Sequence, residues 1–158
     1  SVQITFNMFR LKPIETFFPV ARAKKVGILA RVPLASGMLT GKLRPDTEFA
    51  PSDHRLFNRH GEAFDMGETF SGVDYLEGLR AVDELRPLVP EGASMAQLAL
   101  RWITMFPEVT TTIPGAKNVR QAEDNVRAVE LAPLPEETMD AVRAVYDRRV
   151  RALVHDKW

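Results

Sequence analysis

Apolar positions recur along this chain with two different periods, and the switches between them divide it into elements. Val2 to Met8 is extended from the outset, and in Pro13 to Lys25 the residues Ile14, Phe17, Phe18 and Ala21 fall at helical spacing, with Pro19 weakening the helix. Val26 to Val32 is a short, almost wholly apolar run, the pattern of a parallel strand buried on both faces, and it ends at Pro33. Residues 74–88 place Leu76, Leu79, Val82 and Leu85 along one side before Pro87 and Pro90. Residues 94–106 open with Ser94 and Gln97 as a capping box and carry Met95, Leu98, Trp102 and Met105 inward. The β-branched run from Val109 to Ile113 predicts a buried strand. After it, Val119, Ala122, Val126 and Val129 share one helical face. A last helix from about Pro135 shows Met139, Val142, Val145 and Tyr146.

The order is therefore β-α-β-loop-α-α-β-α-α, an α/β class. Strands separated by helices imply parallel pairing with right-handed crossovers. Three strands do not finish such a fold, because an all-parallel sheet needs both faces covered. A chain that opens inside a strand is expected to be a piece of a larger (β/α) barrel; a small flavodoxin-like sheet competes, but it needs more strands and a phosphate loop at its first turn, and nothing of that kind occurs near Phe9 to Pro13. Residues 1–158 are expected to form one domain. The segment from Pro33 to Gly72 is rich in Gly, Pro, Asp and Asn and has the length of a functional loop.

Composition removes several function classes. The 21 basic and 21 acidic residues balance, so there is no electrostatic reason to expect nucleic acid or an anionic membrane as partner. With no cysteine, disulfides, thiolate zinc sites and a cysteine nucleophile are excluded. The 3 histidines have no metal spacing. No apolar run is long enough for a membrane span and no signal-peptide pattern opens the chain, so a cytoplasmic location is expected.

The most informative chemistry lies at Val109 to Asn125, where a strand breaks through Pro114-Gly115 into a helix N-terminus. Gly115 lets backbone come close to a ligand, and Asn118 is placed to cap the helix, with Gln121 three residues on returning the bond. Unpaired first-turn amides, the helix dipole and Lys117 together favour a phosphate. In the long loop His54, Arg55, Arg59 and His60 can also donate to phosphate, while Asp65 and Glu68 can hold the loop by ion pairs.

The segments Val2-Gln-Ile-Thr-Phe-Asn7, Gly27-Ile-Leu-Ala-Arg-Val-Pro-Leu-Ala-Ser-Gly-Met-Leu-Thr-Gly-Lys42, Ser94-Met-Ala-Gln-Leu-Ala-Leu-Arg-Trp102 and Ile113-Pro-Gly-Ala-Lys-Asn118, with Gln121 and Asn125, resemble the C-terminal half of aldo-keto reductases across essentially the whole chain. The resemblance implies a partial (β/α)8 TIM barrel, its last three βα units (strands six to eight) plus a C-terminal helix, binding NADP without a Rossmann fingerprint. It implies that Gln3 holds the nicotinamide carboxamide. Arg31 falls where the family usually has an aromatic residue under the nicotinamide; a guanidinium there can stack, bind substrate or pair with a carboxylate. Pro33, Leu34, Ser36, Gly37, Leu39, Gly41 and Lys42 match the loop along the pyrophosphate. Gly115, Ala116, Lys117, Gln121, Asp124 and Asn125 match the adenosine end, with Lys117 for the 2′-phosphate, Asn125 for the adenine and Asp124 where a glutamate is common. The loop over residues 33–73 is implied to fold over the cofactor and border the substrate pocket.

In that family a tyrosine, tuned by a lysine and an aspartate and assisted by a histidine, donates the proton, and all four come from the other half of the barrel. Tyr75 and Tyr146 lie here on predicted outer helices. No catalytic residue is therefore expected in this chain. The expectation is the cofactor-binding part of an enzyme reducing a small-molecule carbonyl, inactive alone and partnered by the other half of the barrel or by a second copy. A nucleotide-sensing, channel-subunit-like barrel and a non-catalytic half-barrel homodimer are the alternatives.

Overall fold

The computed structural model describes residues 1–157. Three parallel strands, β1 (Val2–Thr5), β2 (Ile28–Arg31) and β3 (Val109–Thr112), lie in the order β1-β2-β3. Each crossover carries helices: α1 (Lys12–Thr16) and α2 (Phe18–Ala23) after β1, then α3 (His54–Phe57), α4 (Tyr75–Leu85) and α5 (Met95–Thr104) after β2. After β3 come α6 (Val119–Arg127), α7 (Glu136–Val145), a π-helical turn at Tyr146–Val150 and α8 (Arg151–Val154). The architecture is α/β, part of a (β/α)8 barrel. No helix among the described residues is long and apolar enough to cross a membrane.

Side-chain alternation gives the sheet two unlike faces. Ile4, Ile28 and Ala30 point to the helices and are buried. There Phe6 stacks on Trp102 at 5.2 Å and meets Phe18 edge-on at 4.8 Å, while Phe106 closes on Trp102 at 4.8 Å. This aromatic cluster pins α2 and α5 to the sheet, supplying much of the apolar burial that holds the half-layer together. On the opposite face Gln3 pairs in register with Leu29, and Thr5 with Arg31.

Several predicted elements are corrected. The helix over 13–25 is two short ones meeting at Phe17, because Pro19 cannot extend a helix backward through its missing amide. β2 is covered on one face only: Leu29 and Arg31 are half-buried. β3 is not a buried strand, since Thr110 and Thr111 are exposed and Ile113 remains 47% accessible. The apolar face of α6 is likewise uncovered, with Val119 74%, Val126 65% and Val129 56% accessible. These are the surfaces left open when the sheet ends at β3. Conversely both tyrosines are buried on their helices, and the capping box at Ser94 and Gln97 forms as predicted.

The long segment after β2 is tightly organised. Arg55 lies 4.5 Å over the Phe49 ring and Arg59 lies 4.9 Å over Tyr75, so the loop carries its own aromatic-cation core. Asp53 caps α3 and holds Arg55 through both carboxylate oxygens, at 2.9 and 2.6 Å. Those bonds keep the Asp53 carboxyl well below the usual carboxylate range.

Candidate functional site

The turn leaving β2 runs in the left-handed region at three non-glycine residues: Val32 (φ 53°), Ala35 (φ 47°) and Ser36 (φ 56°). A β-branched residue there is strained, and such strain persists only where the surroundings over-determine it. A second left-handed pair, Phe70 (φ 50°) and Ser71 (φ 57°), lies where the loop returns. The two turns are stitched together. Buried Asn7 donates to the Val32 carbonyl and to Ser71 Oγ, and Ser36 Oγ donates to the Glu68 carbonyl at 2.9 Å while accepting from Phe70 N at 3.1 Å.

These fastenings shape a cavity of about 820 Å³ beside the C-terminal ends of β2 and β3. Of the predicted site residues, Pro33, Leu34, Ser36, Gly37 and Lys42 line it from one side, and Gly115, Ala116, Lys117, Gln121, Asp124 and Asn125 from the other. Two turns more than seventy residues apart in sequence, by pattern unrelated, thus face one space. Gln3 and Arg31 line a separate cavity of about 460 Å³ on the open face of the sheet. Leu39 is fully buried in the core, and Gly41 (φ 68°) faces Met95 rather than the large cavity. Their contribution is to the turn itself: an apolar anchor and a left-handed exit that a side chain would strain.

The bonding within the site refines several roles. Asn118 caps α6 as predicted, accepting from Gln121 N at 2.9 Å, but Gln121 Oε1 accepts from Lys117 N at 2.7 Å instead of returning the bond to Asn118. One of the amides expected to be free for an anion is thereby used. Asn125 Nδ2 donates to the Gly115 carbonyl at 3.1 Å and braces the turn. Asp124 takes Arg127 at 3.2 Å, with Arg120 at 3.9 Å, and its carbonyl accepts from Gln97. The Ser36 hydroxyl is committed to the loop at Glu68 and Phe70, so its backbone, not its side chain, is what remains for a ligand.

Arg31 pairs with a carboxylate. Its guanidinium meets Glu68 in a bidentate fork, 2.6 and 2.5 Å, which raises the Arg31 pKa. Of the loop cations, Arg55 lines the large cavity, donating to the Ser36 carbonyl at 3.4 Å, whereas Arg59 turns to the aromatic cluster. His54 and His60 line none of the cavities described. Sequence reasoning passed over Arg120, which lines the cavity from the first turn of α6; its place next to Gln121 was the available signal. The site thus offers Lys42, Lys117 and Arg120, with Arg55 already paired to Asp53, against the single lining carboxylate Asp124, a donor set suited to an anionic ligand.

Comparison with known proteins places the chain in a family. The chain is 36% identical over 140 residues to a probable voltage-gated potassium channel subunit beta of Arabidopsis thaliana, covering 84% of this chain and 39% of the relative. It is 34% identical over 104 residues to the L-glyceraldehyde 3-phosphate reductase of Escherichia coli K12, covering 66% of this chain and 29% of that enzyme. Among solved structures, the glycerol dehydrogenase of Gluconobacter oxydans superposes with a TM-score of 0.74 at 27% identity, over 94% of this chain and 42% of that one. The chain therefore spans well under half the length of these relatives. The profile of the Aldo/keto reductase family matches residues 1–147, and the chain belongs to that family.

Proposed function

We propose that this chain is the cofactor-binding part of an oxidoreductase that reduces aldehydes or ketones with NADPH. The observation that carries the proposal is the 820 Å³ cavity, where the turns at 33–42 and 115–125 converge with four basic side chains around it. The residues fit a dinucleotide: cations for its phosphates, backbone approachable at Gly37 and Gly115, and apolar surface at Leu34 and Ile113 for a base. Lys42 and the 36–37 backbone would hold the pyrophosphate, Lys117 the 2′-phosphate, and Asn125 with Asp124 the adenine. Gln3, whose amide both donates and accepts, would hold the nicotinamide carboxamide. When bound, the cofactor supplies the hydride.

This chain's own tyrosines do not supply the proton. Tyr75 donates to the Arg44 carbonyl at 2.7 Å and Tyr146 pairs with His155 Nδ1 at 2.8 Å, both buried away from the cavity. The proton donor would come from the other half of the barrel, and the isolated chain would be inactive. A fluorescence titration with NADPH, followed by an aldehyde-reduction assay of the full-length protein, tests the proposal. Binding lost on Lys42→Glu, together with turnover of a simple aldehyde, is expected; titration curves that Lys42→Glu leaves unchanged would sink it.

A second proposal is favoured by the similarity to the Arabidopsis channel subunit. Here the barrel binds the nucleotide to sense it. NADPH binding without turnover of any carbonyl would select it over the first.

A further inference from the structure

The smaller cavity, about 460 Å³ on the open sheet face, holds an unusual set of charges. Arg10, Arg31 and Lys157 line it with the carboxylates of Asp65 and Glu68. Arg10 is 5% accessible and is held by main-chain carbonyls, Ser71 at 2.8 Å and Val154 at 3.4 Å, and no ion pair reaches it among the described residues. Among the described residues Arg31 is the one lining cation paired by contact with a carboxylate, through its two bonds to Glu68. Glu68 itself is doubly fixed, since its carbonyl accepts from Ser36 Oγ while its side chain reaches Arg31. The carboxylate is therefore aimed at Arg31 by backbone that does not depend on the ion pair.

The two redox forms of a nicotinamide dinucleotide are the same molecule except at one ring, which is cationic when oxidised and neutral when reduced. An ion pair beside that ring acts on this difference alone, because every phosphate and adenosine contact is common to both forms. Resting on the proposal that Gln3 holds the nicotinamide carboxamide, in the cavity that Arg31 also lines, we propose that Glu68 is a specificity-determining residue that sets how well the site holds NADP+ relative to NADPH, by cancelling the charge of Arg31. Without Glu68 the cavity presents three cations to one carboxylate, and the cationic ring is disfavoured. Without Arg31 the unpaired Glu68 favours it. Glu68 is a positioning and charge-balancing group, and no bond is made or broken by it.

The test is the ratio of the two dissociation constants in the full-length protein, NADPH followed by its fluorescence and NADP+ by competition. Glu68→Gln keeps the shape and the main-chain bond to Ser36, and is expected to raise Kd(NADP+)/Kd(NADPH) about tenfold. Arg31→Gln is expected to move the ratio about tenfold the other way, so either variant decides the matter should the other fail to fold. The double variant Arg31→Gln/Glu68→Gln should return near the native ratio, and Glu68→Asp, which keeps the charge, should leave the ratio alone even where both affinities fall. Glu68→Gln shifting both constants equally, or neither, would overturn the inference and leave Glu68 a loop fastener. Native protein that binds neither form overturns the cofactor site as well, which tells the two failures apart.

Discussion

Asn7 donates from Nδ2 to the carbonyl of Val32 at 2.8 Å, fixing a β-branched residue in the left-handed region. Its second Nδ2 hydrogen goes to Ser71 Oγ at 2.9 Å and its Oδ1 accepts from Phe9 N at 2.8 Å, all with no solvent access. Removing this amide leaves buried groups unpaired on two strained turns at once. Asn7→Ala is therefore expected to cost about 2–4 kcal/mol in urea unfolding, with the loss falling on the cavity-forming turns. Loss of less than about 1 kcal/mol would mean that Val32 holds its conformation without Asn7.

Trp102 makes the opposite case. Its ring packs among Phe6 and Phe106, but Nε1 is buried with no hydrogen-bond partner among the described residues. Trp102→Phe removes an unsatisfied donor along with some ring area. The two effects oppose each other, so the substitution is expected to change stability by no more than about 1 kcal/mol, against about 3–5 kcal/mol for Trp102→Ala. Comparing both midpoints in denaturant checks this.

What could be read from the chain divides along physical lines. Elements with a strong local signal were legible: the Ser94 and Gln97 box, the helical stripe of Leu79, Val82 and Leu85, and the existence of the strand at Ile28. The two turns at Pro33 and Pro114 were legible as a pair only through the family resemblance, because contact between residues so far apart in sequence has no local signature. Glu68 was legible as a charge able to pair, yet not as the partner of Arg31, since that depends on where a long loop returns. Burial of β3, of α6 and of the second face of β2 was misjudged for a single reason. Valine and threonine periodicity reports which face is apolar, not whether this chain supplies the layer that covers it.

Tyr146 gives an alkaline prediction. Burial pushes its phenol up to about 12 from an ordinary 10.0. A folded-state pKa above the unfolded one means that the folded protein keeps the proton while the unfolded chain has lost it, so stability is complete below pH 10.0 and falls as pH rises toward about 12. Tyr146→Phe should flatten that part of the curve, removing up to about 2 kcal/mol of pH-dependent loss, although it also forfeits the bond to His155. Parallel pH–stability curves for the two proteins over that window would contradict the assignment.

The exposed stripe of Val119, Val126 and Val129 predicts how the isolated chain behaves. Contiguous apolar surface of this kind drives association unless another layer covers it. The 158-residue chain alone is expected to self-associate in sedimentation velocity, and Val126→Lys with Val129→Glu to shift it toward monomer. A well-behaved native monomer at micromolar concentration would show that the stripe is not adhesive.

Lys117 and Arg120 offer the sharpest division of cofactor preference. Both line the large cavity from the start of α6, and the nearest carboxylate to Arg120, Asp124 at 3.9 Å, is already engaged by Arg127 at 3.2 Å. Two exposed cations contribute little to folding, so their reversal should leave stability almost unchanged. If Lys117 and Arg120 face the 2′-phosphate, as proposed, they act on NADPH and not on NADH, which lacks that group. Lys117→Glu/Arg120→Glu is expected to weaken NADPH binding by about tenfold or more at low salt, with the difference shrinking as ionic strength rises and NADH affinity little altered. Equal weakening of both cofactors would locate these side chains at the shared pyrophosphate instead.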